Sequence, residues 1–118
     1  MKKVFTLNIL SMWALMIIVL MSSVDLRAQE PSSDAATYYN QGNAYCKEGQ
    51  YDKGIYYYNK AIEIAPKFSV AYNNRAIGYY YKKEYEKAWD DVHKAQNMGY
   101  EVHPGFLNAL RKASGRDR

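Results

Sequence analysis

Tyr38-Tyr39-Asn40-Gln41-Gly42-Asn43-Ala44-Tyr45 returns 34 residues later as Tyr72-Asn73-Asn74-Arg75-Ala76-Ile77-Gly78-Tyr79. In one ungapped register Tyr38, Asn40, Tyr45, Tyr51, Lys53, Lys60 and Ala61 recur unchanged as Tyr72, Asn74, Tyr79, Tyr85, Lys87, Lys94 and Ala95. Small residues also meet small ones: Gly42 with Ala76, Ala44 with Gly78, Gly54 with Ala88. Self-similarity at this period is the mark of a helical repeat array, in which each unit is one supersecondary element that must stack on a neighbour to bury its apolar face.

Each unit reads as two helices. Asp34 is placed to cap a helix from Ala35 to Lys47, Gly49-Gln50 makes a turn, and a second helix runs from Asp52 to Ala65 before Pro66 ends it. In the second unit Ser69 is the expected cap, the first helix runs to Lys82, Lys83-Glu84 turns the chain, and the next helix covers Tyr85 to Asn97 with Gly99 as its left-handed stop. Gly42 and Ala44 on the first helix, facing Gly54 and Ala61 on its partner, remove bulk where the two must approach. Tyr38, Tyr45, Tyr51 and Tyr58 fill the space around that contact. His103-Pro104 opens a last helix whose Phe106, Leu107, Leu110 and Ala113 form an apolar stripe, suited to covering the second unit.

These spacings resemble the tetratricopeptide repeat (TPR) family. The motif residues are Tyr38, Gln41, Gly42, Tyr45, Gly49, Tyr51, Gly54, Tyr58, Ala61 and Pro66, then Tyr72, Arg75, Ala76, Tyr79, Tyr85, Ala88, Val92 and Ala95. Gly54 stands where the family usually has alanine, and Tyr100 where the closing proline would be. The resemblance implies an all-α fold: two helix-turn-helix units, 35–68 and 69–102, in an antiparallel right-handed solenoid, with a capping helix at 103–113 and a flexible tail at 114–118. It also implies that the first helix of each pair lines a concave groove, here presenting Tyr39, Asn43, Cys46, Lys47, Asn73, Asn74, Ile77, Tyr80 and Tyr81. Some members of the family clamp a terminal carboxylate with asparagines and basic residues. Asn43 and Asn74 match the two asparagines, but Tyr39 replaces the first basic residue and a complete third repeat is missing.

Ahead of the repeats, Met1-Lys2-Lys3 is a positive start, Val4 to Leu20 is apolar but for Thr6, Asn8 and Ser11, and Ser22 to Ala28 is short and polar. That order is a secretory signal peptide over 1–28, cut after Ala28 or, less well, after Ser23, with a polar linker at 29–34. A retained membrane anchor is the alternative reading, because the apolar run is near the lower length for a span. Export places the mature protein in the periplasm or outside the cell.

The rest of the 118-residue sequence removes function classes. One cysteine allows no internal disulfide or multi-cysteine metal site, and two histidines leave little for a histidine one. From Gln29 onward 13 basic and 11 acidic residues nearly balance, which does not make the basic stripe of a nucleic-acid binder. Thirteen tyrosines account for a mean hydropathy of −0.53 in a chain that counts as 48% hydrophobic. Asp90-Asp91 is the sole adjacent acid pair. Helix neighbours diverge, so the pair reads as a solvated face and not as an acid/base dyad. His93 reads as an exposed helix residue, His103 as a cap, and Cys46 either as a half-buried filler or as a thiol for intermolecular pairing. No phosphate loop or nucleophile motif is present. The expectation is a protein without cofactor or metal that is not an enzyme. It binds a protein or peptide in its groove, the alternative being a subunit that completes a short array by forming a homo-oligomer. No nucleic acid is expected as partner, and membrane only if the first segment is retained.

Overall fold

A computed structural model describes residues 30–116; the signal-peptide reading of 1–28 lies outside them. Among the described residues the chain forms five helices and no strand: α1 Ser33–Lys47, α2 Tyr51–Ile64, α3 Ser69–Tyr81, α4 Tyr85–Asn97 and α5 Pro104–Ser114. α1 packs on α2, α3 on α4, the two pairs meet mainly through α2 and α3, and α5 lies against α4. No helix among the described residues is long and apolar enough to cross a membrane.

The pairs are held close by missing side chains. A Cβ on Gly42 would stand 2.5 Å from the Tyr58 ring, and one on Gly54 would stand 2.2 Å from Cys46 Sγ. Ala61 and Ala95 are wholly buried. In the second unit Val92 takes the place of Tyr58, and the space released admits Ala76 where Gly42 stands in the first. Ala44 departs from expectation: it is exposed, whereas its counterpart Gly78 is buried under Ile55. That helix position faces the preceding unit and not the partner helix, and no unit precedes α1 among the described residues.

The turns repeat as well. Gly49 has φ +76°, and Lys83, at the equivalent place, is the one non-glycine residue with positive φ among the described residues, at +61°. Tyr45 and Tyr79 carbonyls accept from the amides of Gln50 and Glu84, each at 2.9 Å, so both turns close the same way. Caps differ from expectation by a residue or two. Ser32, not Asp34, caps α1, its Oγ accepting from Ala35 N at 3.3 Å. Phe68 occupies the N-cap of α3 without a side-chain bond, so Ser69 is already helical. His103 caps α5 as expected, Nδ1 accepting from Gly105 N at 3.0 Å.

Asp91 corrects the solvated-face reading of Asp90-Asp91. Asp90 is exposed, but Asp91 is 2% exposed and takes both ends of the Arg75 fork, each oxygen at 2.7 Å. Adjacent helix residues point about 100° apart, so one of such a pair can face inward while the other is solvated. Arg75 also donates to Asn59 Oδ1 at 2.7 Å, tying the second unit to α2 of the first.

The main core lies in the second unit and under α5, where Tyr72, Trp89, Val92, Val102 and Leu110 gather. α5 keeps the repeat register: Phe106 and Leu110 stand 34 residues after Tyr72 and Ala76. It is a first helix without its partner, and Leu110 puts bulk where the other units need a small residue. Ala113 falls outside the buried stripe and is exposed; the inward position is Ser114. Its Oγ accepts from Trp89 Nε1 at 3.0 Å and donates to Leu110 O at 2.7 Å. Ser114, read in sequence as the first residue of the tail, thus closes the helix, and Arg116 reaches Glu86 at 2.5 Å.

Candidate functional site

A cleft of about 470 Å³ opens between α1 and α3, floored by the start and middle of α2. Asn43 and Lys47 lie one turn apart on α1. Asn74, Ile77 and Tyr81 lie at intervals of three and four on α3, so each set shares one helix face. All five line the cleft, together with Cys46.

Its polar end is a connected network. Tyr58 OH donates to Asn43 Oδ1 at 2.7 Å, and Asn74 Nδ2 donates to the same oxygen and to Tyr39 OH, both at 2.9 Å. Asn73 Nδ2 completes it on Asn74 Oδ1 at 3.1 Å. Both lone pairs of Asn43 Oδ1 are thus used, while its Nδ2 makes no bond among the described residues. No buried side-chain nitrogen or oxygen among the described residues lacks a partner, so that donor faces solvent in the cleft. Lys47, exposed at the rim, adds a positive charge. The opposite end is aromatic: Tyr51 and Tyr81 stack with centroids 4.9 Å apart and planes 9° from parallel.

Three of the residues expected in the groove are elsewhere. Tyr39 packs against the rings of Phe68 and Tyr58 and supports the network from behind. Asn73 is 7% exposed and serves only Asn74. Tyr80 turns away to meet Phe106 at 5.8 Å and Tyr85 at 6.0 Å, because α5 offers it an apolar neighbour. Conversely, Tyr51, Tyr58 and Gly78 line the cleft although sequence reasoning placed them in the repeat framework alone. The signal for Gly78 was its small size at a helix face shared with Asn74 and Tyr81; nothing in spacing announced that Tyr58 would be core along its ring and cleft at its hydroxyl.

Cys46 sits on the cleft floor, half-buried, and burial pushes its thiol up from the ordinary range. Burial likewise raises the Tyr58 phenol, with Cys46 beside it. Both therefore hold their protons at neutral pH, and the thiol is a poor nucleophile there. No group of three or more His, Cys, Asp or Glu side chains gathers as a metal site among the described residues. The arrangement presents a hydrogen-bond donor, a positive charge and aromatic rings to one cleft.

Residues 35–68 match the family model described as tetratricopeptide repeat. The chain is 34% identical over 79 residues to human DnaJ homolog subfamily C member 7, covering 67% of this chain and 16% of that protein. It is 32% identical over 104 residues to the rat mitochondrial import receptor subunit TOM70, covering 83% of this chain and 15% of the receptor subunit. Tetratricopeptide repeat protein 28 of mouse is 36% identical over 56 residues, 48% of this chain and 2% of that protein. These matches support the tetratricopeptide repeat family, and the chain spans under a fifth of the length of each of these three relatives.

Proposed function

We propose that this chain is a non-catalytic protein-interaction module that holds a peptide segment in the cleft between α1 and α3. The observation that carries the reading is the cleft itself: a donor at Asn43 Nδ2, a cation at Lys47 and a Tyr51–Tyr81 wall converge on one open space of about 470 Å³. Such a surface suits an extended segment with a carbonyl or carboxylate near Asn43 and Lys47 and an apolar side chain against Ile77 and Tyr81. A hydrogen-bond donor fixed by its own amide oxygen is pre-oriented, which lowers the ordering cost of binding. One relative bears the name of an import receptor subunit, a binding role stated for that protein.

The test is selection of peptides from a random library on the immobilised chain, followed by affinity measurement on two variants. Asn43→Ala and Ile77→Arg should each weaken the selected peptides while circular dichroism stays unchanged. Peptides that bind both variants as well as the parent would show that the cleft is not the site. Export is part of the same proposal. The order of charges and apolar residues over Met1 to Ala28 supports it, and a mature N-terminus near Gln29 in the exported protein is the result to look for.

A further inference from the structure

The two units are alike in sequence and unlike in what covers them. On α3 the stripe facing the preceding unit is met by α2. Arg75 Nη1 donates to Asn59 at 2.7 Å, a Cβ on Gly78 would stand 3.1 Å from Ile55, and Lys82 pairs with Asp52 at 2.6 Å. The same stripe on α1 is Gln41, Ala44 and Glu48, and all three are exposed.

Beside that stripe stands an aromatic cluster with two lysines. Tyr57 lies between Tyr38 and Tyr45, with centroids 6.2 and 5.3 Å away, and Tyr56 meets it edge-on and is 54% exposed. Lys53 lies over the Tyr45 ring at 5.4 Å, and Lys60 lies over Tyr38 and Tyr56 at 5.8 and 5.0 Å. Neither lysine has an ion-pair partner among the described residues. In the second unit the place of Tyr57 is taken by Asp91, which neutralises Arg75. The first unit has Gln41 and Tyr57 in place of that Arg75–Asp91 pair, and Glu63 is the acid whose charge reaches Lys60.

We propose that this face docks an acidic amphipathic helix of a partner protein, in the position that α2 takes on the second unit. The shape argument comes from register. Ala44, like Gly78, leaves a shallow place where a ridge from the incoming helix can seat, as Ile55 does on α3. Gln41 offers an amide where Arg75 offers its guanidinium to Asn59. The charge argument comes from Lys53 and Lys60: held over rings, they still carry donors for carboxylates, and pairing at a partly desolvated interface is worth more than in open water. Glu48, at the far end of the stripe, already accepts from Gln50 Nε2 at 3.0 Å. The tyrosines supply contact area at low entropic cost. A second copy of this chain fits less well, because an isologous contact brings the same patch from both sides together and would gather four lysines in one interface. None of these residues lines the cleft between α1 and α3, so the site is separate from the proposed peptide groove.

The experiment titrates the full-length chain with two labelled helical peptides read by fluorescence anisotropy. One carries isoleucines at the Ile55–Ile62 spacing, asparagine at the Asn59 spacing and glutamates on the flanks; the other has lysines in place of the glutamates. The acidic peptide should bind, and the basic one about tenfold or more weaker. Ala44→Arg should abolish binding, and Lys53→Glu with Lys60→Glu should invert the preference. Ala44 and Lys53 are exposed and Lys60 is half-buried, so an unchanged circular dichroism spectrum and urea midpoint check the fold. Asn43→Ala, in the cleft, should leave the affinity unaltered. No binding of the acidic peptide, equal binding of both, or loss on Asn43→Ala would overturn the proposal. So would sedimentation showing a dimer that Ala44→Arg dissolves, which would assign the face to a second copy.

Discussion

Replacing Gly54 by alanine sets two known effects against each other at one atom. In an exposed helix interior the change stabilises by about 1 kcal/mol, since alanine loses less backbone freedom on folding. Here the new Cβ would lie 2.2 Å from Cys46 Sγ and 3.1 Å from the Gly42 carbonyl oxygen. Overpacking of that kind costs about 1–3 kcal/mol. The packing cost should win, for a net loss of about 1 kcal/mol, or roughly 4–8 °C in Tm for a domain of this size. The cycle with Cys46→Ala makes the argument sharp. With the sulfur gone, Gly54→Ala should stabilise by about 1 kcal/mol, giving a coupling of about 2 kcal/mol, well beyond the roughly 0.3–0.5 kcal/mol within which independent sites add. Urea denaturation followed by far-ultraviolet circular dichroism on the four proteins measures it. A single Gly54→Ala variant more stable than the parent, with additive effects in the cycle, would refute the claim that the thiol dictates glycine at this position.

Gly42→Ala should destabilise by about 1–3 kcal/mol in urea melts, because its Cβ would meet the Tyr58 ring at 2.5 Å, although the equivalent residue Ala76 is tolerated opposite Val92. Lys83→Gly should raise the melting temperature by the equivalent of about 1 kcal/mol, since φ is +61° there and glycine adopts that conformation without a Cβ clash. Asp91→Ala should cost about 3 kcal/mol by leaving Arg75, 14% exposed, without its acid, while Arg75→Met together with Asp91→Leu should recover most of the loss in the same melts. Removal of residues from His103 onward should lower the melting temperature and promote self-association by sedimentation, because Leu110 is wholly buried and Trp89 is 7% exposed beneath α5.

How much of this was legible before the structure depends on whether a residue acts within its own unit or between units. Repeat spacing marked Gly42, Gly54, Ala61 and Ala95, whose roles are fixed by the partner helix one turn away in sequence, and these are the residues the packing uses. The same spacing misread Ala44, since its counterpart Gly78 is buried only by virtue of a preceding unit, and none precedes α1 among the described residues. Asp91 was hidden for a related reason. Its partner Arg75 is 16 residues away across a turn, and nothing in a charge pattern tells an acid that meets a buried guanidinium from one that meets water. In the groove, the family resemblance pointed to Asn43, Cys46, Lys47, Asn74, Ile77 and Tyr81, which line one cleft. It failed for Asn73 and Tyr80 because each had a neighbour to prefer over solvent, Asn74 for the first and Phe106 for the second.

The first and last described helices differ at equivalent positions. The last is in register, Phe106 after Tyr72 and Leu110 after Ala76, with leucine where the two units have glycine and alanine. Leu110 is wholly buried in the core with Trp89 and Val92. At the near end the residues that would meet a preceding helix are Gln41, Ala44 and Glu48, which remain solvated, flanked by tyrosines and unpaired lysines. These residues leave the shallow seat at Ala44 unfilled; the counterpart of Ala44 on α5 is Lys112, which is exposed. Because Ala44 is exposed, Ala44→Leu should leave the stability of the isolated protein within about 0.5 kcal/mol of the parent in urea melts, as surface changes do. It should still weaken any helix that docks on α1. A large destabilisation by Ala44→Leu would show that the seat is already occupied within the folded chain.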